Sequence, residues 1–182
     1  MIVAVDVDGP IADLHTAWIN RYNKDYKDGL VERDVVTWDI HKYVKPECGY
    51  KIYDYLRMPD IYDDVRVSFG AKEGVEFLKQ HGCRVVYLTA APTGFSDAKQ
   101  HWLVREGFLD KSKYTHEDLV VAKDKSLIRA QVLIDDGPHN IETFPGMCIV
   151  YDAPYNKDIK KPRYYRMAAW PELPVLWKKI YG

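Results

Sequence analysis

A chain of 182 residues, 47% hydrophobic and 13% aromatic, is long enough for one substantial core with a small inserted lobe but short for two full domains. It has no apolar run of the ~20 residues that a membrane span needs and no basic-then-apolar leader, so the expectation is a soluble, cytoplasmic protein without a membrane partner. A formal charge of −1 argues against a broad basic surface and stable nucleic-acid binding, while Cys48, Cys83 and Cys148 lack the spacing of a zinc site or disulfide framework and read as reduced thiols.

Ile2-Val-Ala-Val-Asp6 is a β-branched run suited to a buried strand. After a Gly9-Pro10 turn, Ile11, Leu14, Trp18, Ile19 and Tyr22 recur at three- and four-residue steps, which predicts a helix from Ile11 to about Tyr26. Residues 28–68 then break the pattern: they are rich in Tyr, Asp and Lys, with Trp38, Tyr43, Tyr50, Tyr53, Tyr55 and Tyr62 among short helical stretches. An inserted lobe is expected there. Gly70 to Gly82 has helical spacing through Val75, Phe77 and Leu78 and closes on a glycine suited to a C-cap. Strands follow at Arg84–Thr89, 118–122, 131–135 and 148–152, with a helix expected over 95–108. Alternating strands and helices of this length predict an α/β fold with a doubly wound parallel sheet.

Asp outnumbers Glu by 19 to 8, and several Asp residues follow apolar runs directly, where strand-end sites carry carboxylates. Asp6-Val-Asp8-Gly9 follows the first strand, and Gly9 permits a sharp turn between the two acids and the helix. An Asp-x-Asp pair is expected about twice by chance in a chain this rich in Asp, so its position carries more weight than its pattern. Asp135-Asp136 ends a second strand and can meet the first pair if those strands are neighbours. Converging carboxylates repel unless a hard cation sits among them, and oxygen-only ligation favours Mg2+ over zinc. Thr89 and the backbone of Ala90 end the strand between, offering a hydroxyl and amides to a phosphate oxygen. Lys125, with Lys123 as a competitor, can neutralise phosphate and nucleophile together.

In order, Asp6-x-Asp8, Thr89, Lys125 and Asp135-Asp136 resemble the four signature motifs of the haloacid dehalogenase superfamily. More narrowly, Asp6-Val-Asp8-Gly9-Pro10-Ile11-Ala12-Asp13-Leu14, Leu88-Thr89-Ala90-Ala91-Pro92, Asp124-Lys125-Ser126 and Leu133-Ile134-Asp135-Asp136 look like the 5′(3′)-deoxyribonucleotidase family. The resemblance implies a Rossmann-like core over 1–27 and 69–182, with a mainly helical cap at 28–68. It also implies a magnesium-dependent phosphatase acting on a small nucleoside monophosphate through an aspartyl-phosphate. By the same resemblance Asp6 is the nucleophile and Asp8 the general acid and base, with Asp8 also binding metal through its backbone carbonyl. Asp135 is then a metal ligand, Asp136 acts through a water or by orienting its neighbour, and Thr89 and Lys125 hold the phosphate. The sequence departs from the family pattern at Pro10 and in Gly137-Pro138-His139-Asn140.

Plainer roles compete at several positions. Asp136 can cap the helix that follows, and Asp13 reads as a dipole-favoured acid inside the first helix. Trp38, Tyr43 and Tyr62 offer stacking faces to a base, Trp38 being the candidate substrate contact, although a small lobe needs aromatics for its own core. The six histidines lack ligand spacing, and the basic stretch Lys157, Lys160, Lys161, Arg163 and Arg166 reads as a solvated loop. Two other functions stay open: a phosphatase of sugar phosphates or nucleic-acid ends, and a non-catalytic binding module on the same fold. The sequence does not decide between a monomer and a homodimer.

Overall fold

The β-branched run at residues 2–5 forms strand β1, Ile2–Val5. Its side chains alternate as the two-residue period of a strand requires: Val3 and Val5 enter one core cluster with Trp18, Tyr22 and Trp102, and Ala4 enters another with Leu133, Ile141 and Phe144. The computed structural model describes residues 1–91, 96–110, 112, 118–160 and 163–182. Among the described residues five more strands join β1: Arg84–Thr89 (β2), Leu119–Val121 (β3), Val132–Asp135 (β4), Met147–Tyr151 (β5) and Tyr164–Met167 (β6). All pairings are parallel, in the order β3-β2-β1-β4-β5-β6. Strand addition changes direction at β1, which lies between β2 and β4, so this is the switch point where α/β sheets bind ligands. Val5 pairs with Tyr87 on one side and Ile134 on the other. Asp6, Thr89 and Asp135 therefore emerge at three adjacent tips.

The helices are Leu14–Tyr26 (α1), Ala71–Gln80 (α2), Ser96–Arg105 (α3), Pro138–Thr143 (α4) and Leu173–Tyr181 (α5). Helix α1 begins three residues later than its apolar spacing suggests. Gly9 at φ 90° opens a tight turn in which Ala12 N–H donates to the Val7 carbonyl at 2.7 Å and Gly9 N–H to the Ala12 carbonyl at 2.8 Å. Asp13 then caps the helix by accepting Thr16 N–H at 3.3 Å, so it precedes the first turn instead of lying within it. Strand β6 and helices α4 and α5 extend the expected set. Leu173, Leu176, Trp177 and Ile180 do carry helical spacing, but Pro171 and Pro174 obscure it, although proline is tolerated in a helix's first turn.

Residues 32–57 contain three short 3-10 stretches, Glu32–Asp34, Ile40–Lys42 and Gly49–Arg57. Ile40, Val44, Ile52, Tyr55, Ile61, Tyr62 and Val65 bury their side chains in the same cluster as α1. Trp18 Nε1 donates to the Ile52 carbonyl at 2.7 Å, the Tyr55 hydroxyl to Asp25 at 2.6 Å, and Trp102 Nε1 to the Val65 carbonyl at 3.1 Å. Among the described residues no helix is long and apolar enough to cross a membrane. Cys48, Cys83 and Cys148 are buried and form no disulfide.

Candidate active site

At the tip of β1 the Asp6 carboxylate accepts Val7 N–H at 2.8 Å and lies 2.8 Å from Lys125 Nζ. Lys125, on a 3-10 turn before β4, also reaches Asp135 at 2.8 Å, and its side chain is 1% exposed. It thus bridges two strand tips. Lys123 is exposed, so of the two lysines weighed in the sequence only Lys125 meets the acids. Asp135 is wholly buried and further held by Gly137 N–H at 2.7 Å and by Asn140 Nδ2 at 3.2 and 3.3 Å. Gly137 and Asn140 therefore build the acid's support. Asp136 does not cap α4, whose N-cap is Gly137. Its side chain instead accepts the Tyr155 hydroxyl, and its carbonyl accepts Asn156 Nδ2 at 2.9 Å.

One carboxylate oxygen from each of Asp6, Asp135 and Asp136 lies within 4.8 Å of the others. Burial pushes the Asp6 carboxyl up to about 7, opposed by the Lys125 charge and reinforced by Asp135 and Asp8. Burial also raises Asp136 well above the carboxylate range, with Asp135 and Asp6 adding to it. For Lys125 burial works toward neutrality, but Asp6 and Asp135 outweigh it and hold the ammonium above its ordinary range. Fully ionised, three carboxylates against one ammonium would leave two negative charges in a buried site. An all-oxygen donor set with that excess fits a hard divalent cation, and it needs one to ionise fully at neutral pH.

Asp8, two residues beyond Asp6, faces a different set of partners. Lys99 Nζ from α3 lies 2.5 Å from Asp8 Oδ2 and 2.9 Å from Thr89 Oγ1, and also donates to the Ala90 carbonyl. The Tyr62 hydroxyl donates to Asp8 Oδ1. Thr89 is buried and Ala90 exposed at the tip of β2. Trp38 is half exposed, its ring 5.0 Å from that of His139 and 5.2 Å from that of Tyr155. It borders an apolar cavity of about 180 Å³ whose walls include His15, Trp18, Tyr53 and Tyr155. Tyr155 thus connects this cavity to Asp136.

Lys99, Tyr155 and Asn140 were not legible in the sequence. Lys99 sits in a polar stretch that reads as a solvated helix face, and Tyr155 and Asn140 follow no recognisable spacing. Tyr62 reads as an aromatic face, yet it is buried with its hydroxyl on Asp8, and Tyr43 bonds Thr37 at 3.2 Å. The basic stretch is also more structural than its composition implies. Arg166 pairs with Asp152 at 2.6 Å and Asn156 at 2.7 Å, and Arg163 bonds the Phe144 and Pro145 carbonyls. Pro92, Lys161 and residues 113–117 lie outside the described residues.

Residues 1–179 match the family described as 5′ nucleotidase, deoxy (pyrimidine), cytosolic type C protein. The chain is 32% identical over 181 residues to a 5′(3′)-deoxyribonucleotidase of Clostridium acetobutylicum, covering 98% of this chain and 95% of that protein. It is 33% identical over 177 residues to the 5′(3′)-deoxyribonucleotidase of Bacillus subtilis, covering 94% of this chain and 95% of that one. Among solved structures, a haloacid dehalogenase-like protein from Agrobacterium tumefaciens superposes with a TM-score of 0.61 at 11% identity, covering 100% of this chain and 99% of that one. That likeness identifies the fold, a haloacid dehalogenase-like α/β sheet.

Proposed function

The chain belongs to the family of deoxy (pyrimidine) 5′ nucleotidases of cytosolic type C, and on that premise we propose that it is a magnesium-dependent phosphatase that hydrolyses nucleoside monophosphates, deoxyribonucleotides foremost. The observation that carries this reading is the meeting of Asp6, Asp135 and Asp136 at adjacent strand tips, the first two bridged by Lys125. Relatives named 5′(3′)-deoxyribonucleotidase over nearly the full chain support the substrate class.

In this reading an oxygen of Asp6 attacks the phosphorus, and the bond to the leaving alkoxide breaks as Asp8 gives that oxygen a proton. Asp8 then takes a proton from a water molecule, whose oxygen attacks the phosphorus and releases phosphate from Asp6. Mg2+, held by Asp6, Asp135 and the Asp8 carbonyl, with Asp136 ligating through a water or orienting its neighbour, would supply the charge neutralisation that lets an anionic nucleophile approach an anionic phosphate. Lys125 and Thr89 hold the remaining phosphate oxygens, with the Ala90 backbone at the rim. Trp38 and the cavity beside it suit the flat apolar face of a base. Residues 28–68 act as the cap over a core made of 1–27 and 69–182.

Phosphate release from a panel of nucleoside monophosphates, sugar phosphates and 5′-phosphorylated oligonucleotides, with and without Mg2+, tests the reading. Turnover confined to mononucleotides and dependent on the metal is expected. Absence of release from every nucleotide would refute it.

A further inference from the structure

The Asp8 carboxylate is engaged at both oxygens, Oδ2 by Lys99 Nζ at 2.5 Å and Oδ1 by the Tyr62 hydroxyl, from a residue 54 positions along the chain. Tyr62 is anchored independently of that bond. The residue is 5% exposed, its ring lies 6.1 Å from that of Trp102, and its carbonyl accepts Arg105 Nη2 at 3.2 Å. Three residues further on, the Val65 carbonyl accepts Trp102 Nε1 at 3.1 Å. Helix α3 therefore fixes the end of the 28–68 segment at two backbone points, and the phenol arrives at Asp8 from a rigid mount.

Building on the phosphatase reading above, we propose that Tyr62 is a positioning residue for Asp8: it fixes the plane of the carboxyl group so that the free edge faces the leaving oxygen. A carboxylate offers about four lone-pair positions, so two donors leave room for the leaving oxygen or a water. The two donors differ in kind. An ammonium can only donate, whereas a phenol can donate to the carboxylate and accept from the carboxylic acid. Tyr62 can thus hold Asp8 through both half-reactions, as the proton goes first to the leaving alkoxide and then comes back from water. Misplacing a catalytic group by about 1 Å can cost on the order of 10²-fold in rate, so a bond that sets its orientation matters.

The test is Tyr62→Phe, which keeps the ring against Trp102 and removes only the hydroxyl. Its kcat/KM is measured with Mg2+ on a deoxyribonucleoside 5′-monophosphate and on the same nucleotide with sulfur as the bridging atom, whose thiolate departs without a proton. Base and sugar contacts are identical in the two, and both values come from one preparation. Their ratio is therefore insensitive to the folded fraction and to any loss of base stacking. The oxygen substrate is expected to lose about 10- to 100-fold, and the oxygen-to-sulfur ratio to fall at least about tenfold. Equal losses on both substrates, or none on either, would overturn the positioning role and leave the phosphatase reading intact. Wild-type protein that turns over neither substrate would remove that reading and this inference together.

Discussion

At the scale of single residues, the site concentrates charge where water is scarce. Asp6, carried up to about 7 by burial, makes Asp6→Asn informative in two opposite ways. On the proposed mechanism phosphate release should fall by at least about 10³-fold, since a neutral amide oxygen is a far poorer nucleophile than a carboxylate. The metal-free protein should meanwhile melt at a higher temperature than wild type at pH 8, because a buried ionised carboxylate has been replaced by a neutral amide. Phosphate assay and thermal melting on the same sample check both. Gly9 sits at φ 90°, and a Cβ there would stand 2.5 Å from Asp136 Oδ2. Gly9→Ala should therefore displace the Asp136 carboxylate and strain the turn. A weaker magnesium dependence of melting, by about tenfold in apparent affinity, is the expected readout by calorimetry.

Among the elements, α2 packs closely against the segment leading into α5. A Cβ on Gly74 would lie 2.1 Å from Trp170 Cε3, and Trp170 Nε1 donates to the Pro10 carbonyl at 2.6 Å. Trp170 therefore fills the space between α2 and the turn that follows β1. This gives the backbone of Pro10 a partner. Alanine at position 74 would gain about 1 kcal/mol in helix propensity, but overpacking costs about 1–3 kcal/mol in a filled core. The indole cannot withdraw without losing its bond to Pro10, so overpacking should win. Gly74→Ala is expected to lower stability by up to about 2 kcal/mol in urea denaturation, and a higher midpoint would contradict the packing described. Element boundaries show how far pattern reading reaches. The β2 limits match the sequence expectation, because an apolar run between Gly82 and an exposed Ala90 has one natural register. The start of α1 differs because a hydrogen-bonded turn and a capping Asp13 outcompete the apolar spacing of Ile11 and Leu14.

For the whole molecule, the acids couple stability to pH and metal. Asp6 has a folded value of about 7 against an ordinary 3.8, and Asp136 is shifted the same way. A carboxyl raised on folding contributes stability that is complete below its unfolded value and is lost as pH rises through its folded one. Melting temperature without metal should therefore decline from about pH 4 to beyond pH 7, and saturating Mg2+ should reverse most of the decline at pH 8. A flat profile, or one that magnesium leaves unmoved, would contradict a buried acidic site. The sequence by itself determined the sheet class and the strands whose tips carry Asp6, Thr89 and Asp135. Strand period and the placement of acids after apolar runs are local properties of the chain, written in consecutive residues. Only tertiary structure decided that β1 lies between β2 and β4 and that Lys125 bridges two carboxylates while Lys123 faces solvent. It alone brought Tyr62 and Lys99, 54 and 91 positions away, onto Asp8. Such partnerships depend on which side chains packing brings within about 3 Å, and no spacing along the chain encodes that distance.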